Sequence, residues 1–179
     1  MRTVSVRRAQ ACTSRWILAA AFACGAVACN AGESGELRDE IEGDDYRNTY
    51  ARAPGGEEGR LPAQGGPHGG FIDLYINEVM VDAIADAEAS GEALTAWPEG
   101  SIIVKDGWSA MEGGDFEYLS FMERRSDGWF WGEYRGNGRL VSAGLDDSTC
   151  TGCHASGEDE VRAFGLPPYP MGDEMGEDE

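Results

Sequence analysis

Phe116-Glu117-Tyr118-Leu119-Ser120-Phe121-Met122-Glu123-Arg124, then Arg125-Ser126-Asp127-Gly128, then Trp129-Phe130-Trp131-Gly132-Glu133-Tyr134 is the stretch whose reading decides the fold. Asp-Gly between two aromatic-rich runs is a strong hairpin signal, because glycine takes the backbone angles that a tight turn needs and the flanking runs suit a pleated, half-buried surface. Upstream, Phe71-Ile72-Asp73-Leu74-Tyr75-Ile76-Asn77 alternates like a strand, and Ala83 to Leu94 reads as a short amphipathic helix. Trp97-Pro98-Glu99-Gly100 is a turn before a second, β-branched strand from Ser101 to Lys105. The expected class is α+β and β-dominated, an antiparallel sheet with short helices. No internal repeat is present.

Beyond the hairpin the chain carries Cys150-Thr151-Gly152-Cys153-His154, a C-x-x-C-H sequence. Two thiols three residues apart can each add to a haem vinyl group, and the next residue's imidazole reaches the iron from the same short turn. Other uses of the pair fit worse. Zinc asks for four ligands, but Cys12, Cys24 and Cys29 all lie near the N-terminus, and His68 is the only other histidine. A thioredoxin-like pair belongs at the start of a helix in a βαβ unit, which nothing after His154 resembles, and a structural disulfide gives no reason for the histidine. The expectation is one covalent haem c on Cys150 and Cys153, packed against the sheet, with His154 as axial ligand of the iron. Met171 and Met175 sit in a Gly-acidic tail, so the opposite axial position is read as open. His68 is read as a turn feature rather than a second ligand.

At the N-terminus, Arg2, Arg7, Arg8 and Arg15 precede an apolar run from Trp16 to Ala28 that is short for a bilayer span and ends in small residues, as a signal peptide does. Ala26-Val27-Ala28-Cys29 resembles a bacterial lipobox. Cys29 is thus the expected lipidated first residue of a periplasmic or otherwise exported protein anchored to a bacterial membrane. The chain divides into a lipoprotein-type signal peptide (1–28), a disordered acidic Gly-rich tether (29–66), a haem domain (67–170) and an acidic tail (171–179). The tether reading rests on the scarcity of large aliphatics between Asn30 and Pro67, too little apolar surface to offset ordering entropy. Of 33 acidic and 14 basic residues, all the acidic ones follow Cys29 while four of the basic ones precede it, and the whole carries −19. Such a charge excludes nucleic acid as a partner and suits a cationic redox protein.

Taken in order, His68-Gly69 before a strand with Tyr75-Ile76-Asn77, Trp97-Pro98-Glu99-Gly100-Ser101-Ile102-Ile103-Val104-Lys105, Gly128-Trp129-Phe130-Trp131-Gly132-Glu133-Tyr134 and a C-terminal Cys150 to His154 make the ordered region resemble the cytochrome P-460 domain proteins, relatives of the beta-sheet cytochromes c prime. The resemblance implies a β-rich fold packed against a haem, a homodimer, and a histidine-ligated iron whose far side is open to small nitrogen compounds. It also implies a role for Lys105. In such cytochromes the lysine ending the P-x-G-x-x-x-V-K-like strand bonds through its side-chain nitrogen to a meso carbon of the porphyrin. That bond requires a neutral amine, which burial beside an apolar macrocycle favours. Lys105 is the sole lysine of the chain.

Two departures from the family pattern bear on activity. The carboxylate that hydroxylamine-oxidising members carry on the open side of the haem aligns with Ala143 in Leu140-Val141-Ser142-Ala143-Gly144, which leaves Glu133, Asp146 or Asp147 as substitutes and Glu133 as the candidate base. An arginine near the haem on the first strand aligns with Ile72. Three functions remain in view: oxidation of hydroxylamine at a lysine-modified haem, non-enzymatic binding or scavenging of nitric oxide, and electron carriage. Lys105 favours the first, the empty stretch around Ala143 favours the second, and the lack of a methionine ligand disfavours the third.

Overall fold

The hairpin expected at Asp127-Gly128 lies at the heart of a seven-stranded antiparallel sheet in the computed structural model, which describes residues 22–169. In chain order the elements are α1 (Phe22–Gly43), α2 (Tyr46–Thr49), β1 (Ala51–Arg52), β2 (Leu61–Pro62), β3 (Phe71–Ile76), α3 (Glu78–Ser90), β4 (Ile102–Trp108), β5 (Phe116–Arg125), β6 (Gly128–Arg135), β7 (Leu140–Leu145) and α4 (Ser148–His154). The sheet runs β1-β3-β4-β5-β6-β7, with β2 also paired to β3, so the β-dominated α+β class holds. Of the signal peptide expected over 1–28, residues 1–21 lie outside the described residues and 22–28 fall at the start of α1; the acidic tail with Met171 and Met175 and the side chain of Cys29 also lie outside them. Among the described residues no helix is long and apolar enough to cross a membrane.

Two expectations about boundaries give way to local chemistry. The helix expected over 83–94 begins at Glu78, because Asn77 leaves the strand to become its N-cap. The Asn77 side chain accepts from the Met80 and Ile102 amides (3.3 and 3.1 Å) and donates to the Gly100 carbonyl (2.8 Å), satisfying three backbone groups at once. Gly91, at φ 71, ends the helix.

The second correction is larger: residues 30–62, expected to be part of a disordered tether, are built into the fold. α1 lays Ser34, Leu37 and Ile41, all buried, against Phe121, Phe130 and Tyr134, whose hydroxyl donates to Ser34 Oγ (3.0 Å). Gly132 makes this approach possible, since a side chain there would overlap the Phe121 ring and Ser34. α2 then supplies the Tyr46 hydroxyl and the Arg47 guanidinium to Asp106, each at 2.6 Å from a carboxylate that is 0% exposed. The helix carries few aliphatics of its own. The aromatic face of the sheet provides most of the apolar surface that orders it.

Both faces of the sheet are therefore covered. Ile102, Val104 and Asp106 of β4 face α1 and α2, while Ile103 and Lys105 face the other way. Ala143 is registered with Gly132 and so shares the α1 side, which leaves it pointing away from Lys105.

Tyr46→Phe should remove one donor from the buried Asp106 carboxylate without changing shape, costing about 2 kcal/mol, read as a lower urea midpoint at unchanged m value. Ala143→Glu should not create a functional carboxylate. It places a charge between the sheet and α1, with an expected loss of roughly 1–3 kcal/mol in the same measurement.

Candidate functional site

α4 is a single short helix that sets the C-x-x-C-H residues in place. Asp147 caps it by accepting from the Thr149 amide (2.8 Å) and from the Ser142 hydroxyl of β7 (2.9 Å), which ties the helix to the edge of the sheet. Cys150 and Cys153, three apart, share one face of the turn, and both are free thiols. Burial, helped by the charges of Asp147 and Glu133, pushes the Cys150 thiol up to about 12. That is the opposite of the lowered pKa on which a redox-active pair relies. Among the described residues no group of three or more His, Cys, Asp or Glu side chains could hold a metal ion by itself.

His154 is held in one orientation and one tautomer. Its Nδ1 lies 2.8 Å from the Glu160 carbonyl oxygen, and because that oxygen can only accept, Nδ1 carries the proton and Nε2 is left with its lone pair. Burial lowers the imidazole to about 4 against the opposing effect of that hydrogen bond, so the ring is neutral, as a metal ligand must be. Trp131 packs edge-on against it at 4.6 Å between ring centroids. The Glu160 carbonyl is aimed by a turn in which Asp159 (φ 46) and Glu160 (φ 64) both take left-handed conformations, a cost of order 1–3 kcal/mol each. The turn is pinned at both ends of Asp159: its carboxylate accepts from the Trp97 amide (2.8 Å), and its carbonyl accepts from Trp129 Nε1 (2.9 Å).

α4 forms one wall of a cavity of about 420 Å³ whose opposite wall is the sheet. Cross-strand register arranges that wall in two rows. Ile103, Met122 and Trp131 pair across β4, β5 and β6 as an apolar row, and Leu74, Lys105, Ser120, Glu133 and Ser142 pair across β3 to β7 as a row that is polar from Lys105 onward. The polar row places an amine, a hydroxyl and a carboxylate on adjacent strands. Burial lowers Lys105 to about 8, despite the opposing negative charge of Glu133, so a neutral fraction of the amine exists near neutral pH.

Glu133, whose direction strand alternation alone did not settle, points into the cavity. Its Oε2 lies 2.8 Å from Nδ1 of His68, with the Ser120 hydroxyl within 3.5 Å of both groups. Burial works to raise the carboxyl, but the His68 hydrogen bond, with the Lys105 amine and the Ser120 hydroxyl nearby, outweighs it and holds Glu133 below its usual range. His68 is therefore a wall residue rather than the simple turn feature that its position suggested. The signal available in the sequence was only that it is one of two histidines. Its place depends on Gly107, where a side chain would overlap the His68 carbonyl.

Of the other expected positions, Ile72 lines the cavity, whereas Ala143 does not; the β7 side chain that pairs with Glu133 is Ser142. Asp146 and Asp147 are absent from the wall, and Asp147 is committed to capping α4.

The cavity fits a haem. It is lined by Ile72, Leu74, Ile103, Met122 and Phe164, with both thiols and His154 on its wall. Trp131 Nε1 is buried without a hydrogen-bond partner, and Arg162 on the wall has no ion-pair partner among the described residues. Each is a donor suited to a porphyrin carboxylate.

No curated protein and no solved structure matches the chain. The family model for Cytochrome P460 matches residues 44–162, a span that begins within the N-terminal segment built into the sheet and ends beyond His154. With a largely apolar cavity, a neutral histidine and paired thiols at its wall, and that match over most of its length, the chain belongs to the cytochrome P460 family, whose members carry haem.

Proposed function

We propose that the protein is an exported, lipid-anchored, mono-haem c-type cytochrome that oxidises hydroxylamine at a lysine-modified haem. The observation that carries this reading is the row of Lys105, Ser120, Glu133 and Ser142 along the wall of the cavity that also holds Cys150, Cys153 and His154. An apolar cavity suffices to bind nitric oxide. A carboxylate hydrogen-bonded to an imidazole is machinery for moving protons, which oxidation of an N–H compound requires, and the amine of lowered pKa beside it is the group able to modify the ring.

When bound, the haem supplies the redox chemistry and the iron position for a small nitrogen ligand. The chain does the rest. Cys150 and Cys153 would hold the group through thioethers, and His154 would offer its Nε2 as the ligand to the metal. Lys105 is the amine available to modify the ring, and the Glu133 and His68 pair accepts a proton released by the substrate. Ile103, Met122 and Trp131 keep water from the apolar half of the cavity. The second reading, nitric oxide binding without turnover, is favoured by Ile72 on the wall and by a hydroxyl, Ser142, as the β7 member of the row. In either reading a homodimer with a strongly acidic surface meets a cationic redox partner.

Protein produced with a competent haem-attachment system should have an intact mass one haem above the polypeptide. Lys105→Arg should keep that haem and both thioethers but give an ordinary c-type absorption spectrum, since a guanidinium is not a nucleophilic amine. Recovery of an unmodified tryptic peptide ending at Lys105 from haem-loaded wild type would refute the cross-link and favour the nitric oxide reading. For the anchor, Cys29→Ser should move the protein from the membrane to the soluble fraction; a wild type that already fractionates as soluble rules out lipidation.

A further inference from the structure

Resting on the reading of the cavity as a hydroxylamine-oxidising site, we propose that His68 takes the substrate's proton through Nε2 and that Glu133 is a positioning residue that holds the imidazole for this task. The two side chains make a carboxylate–imidazole pair at 2.8 Å, through Glu133 Oε2 and His68 Nδ1. An ionised carboxylate can only accept, so the proton of the neutral imidazole sits on Nδ1 and the lone pair on Nε2. Among the described residues Nε2 has no protein partner, and His68 is part of the cavity wall.

The division of labour follows from the surroundings. Glu133 Oε2 is engaged by His68 and approached by the Ser120 hydroxyl at 3.5 Å, and the hydrogen bond from His68 makes this carboxylate hard to protonate. It is a poor proton acceptor and a good orienting group. The His68 side chain is 22% exposed against 7% for Glu133, so a proton gained by the imidazole can leave to water while one gained by the carboxylate is enclosed. The groups that face His68 are Glu133 from β6, Ser120 from β5 and, through space, His154 from α4, while Lys105 from β4 acts on the same Glu133 carboxylate. Glu133 is the one anion among them and stabilises the imidazolium as it forms. The backbone holds the imidazole at this spot because Gly107 leaves room for the His68 carbonyl and Gly69, at φ 86, turns the chain away behind it.

In the step itself an N–H or O–H bond of hydroxylamine breaks, its electron pair stays on the substrate, and an Nε2–H bond forms. That proton then passes to bulk water, and the imidazole is restored.

The test uses haem-loaded protein. With only two histidines in the chain, nitrogen NMR of the diamagnetic ferrous carbonyl form should show His68 as the Nδ1–H tautomer. His68→Ala should lower kcat for hydroxylamine by roughly 10²-fold or more, leave KM and nitric oxide binding unchanged, and regain rate with added imidazole. His68→Gln, which keeps a donor for Glu133 and so guards the fold, should lose the rate equally but without imidazole rescue. Glu133→Gln, which keeps an acceptor oxygen, should lower kcat less than either. An Nε2–H tautomer in the wild type, or turnover that survives both His68 variants while Glu133→Gln abolishes it, would overturn the inference alone. A haem-loaded wild type inert to hydroxylamine would overturn the proposed function and the base role with it.

Discussion

Asp106 is the buried charge on which the arrangement turns. A carboxylate with no exposure is tolerable only if it is fully partnered, and its partners, Tyr46 and Arg47, come from a segment some sixty residues upstream. Satisfying it obliges α2 to lie on that face of the sheet. Side chains of a strand alternate, so committing Asp106 to the α2 face commits Lys105 to the other. A slip of one residue in β4 would bury the lysine against Tyr46 and turn the aspartate into the apolar cavity, leaving both without partners. Burial and the Asp106 charge together keep the Tyr46 hydroxyl protonated, so it remains a donor throughout the useful pH range.

The second constraint is the pair of left-handed residues at Asp159 and Glu160. Neither is a glycine, and nothing in their side chains prefers that conformation strongly enough to hold it. It persists because the Trp97 amide and Trp129 Nε1 hold Asp159 from two sides, and Trp97 and Trp129 belong to the core cluster on the cavity side. The strain has a visible use, since the carbonyl it aims fixes the proton on Nδ1 of His154 and leaves Nε2 as the nitrogen able to bind a metal. Packing of two tryptophans is thus converted into the orientation of an imidazole on a different element.

Inside the cavity the same low-polarity surroundings act on an amine, a carboxylate and a thiol with different results. Lys105 loses the contest with desolvation and is lowered, Cys150 is raised, and Glu133 stays ionised because His68 bonds it directly. Burial alone would have neutralised all three. One hydrogen bond from a residue in the loop before β3 decides that the cavity keeps a fixed negative charge, and with it the means to stabilise a cation nearby. Apart from Asp147, whose charge helps to raise Cys150, the many acidic side chains outside the cavity have little part in this balance, since most of those described are exposed to solvent and screened.

The chain's own order of residues determined the hairpin at Asp127-Gly128, the strand before Lys105 and the C-x-x-C-H pattern at Cys150 to His154, because each is a local signal: a turn that needs glycine, a period of two, a spacing of three. Tertiary structure decided what no local pattern contains. α1 was illegible because Ser34, Leu37 and Ile41 are too sparse to order a helix by themselves, and the surface that orders them lies on Phe121, Phe130 and Tyr134, nearly a hundred residues away. Ala143 aligned by position with a functional carboxylate, yet cross-strand register turns it toward α1 and brings Ser142 to the cavity. Glu133 and His68 were each visible as single residues. Their pairing required two segments to meet on one face of the sheet, and that meeting depends on a missing side chain at Gly107, whose purpose appears only when the second segment is in place.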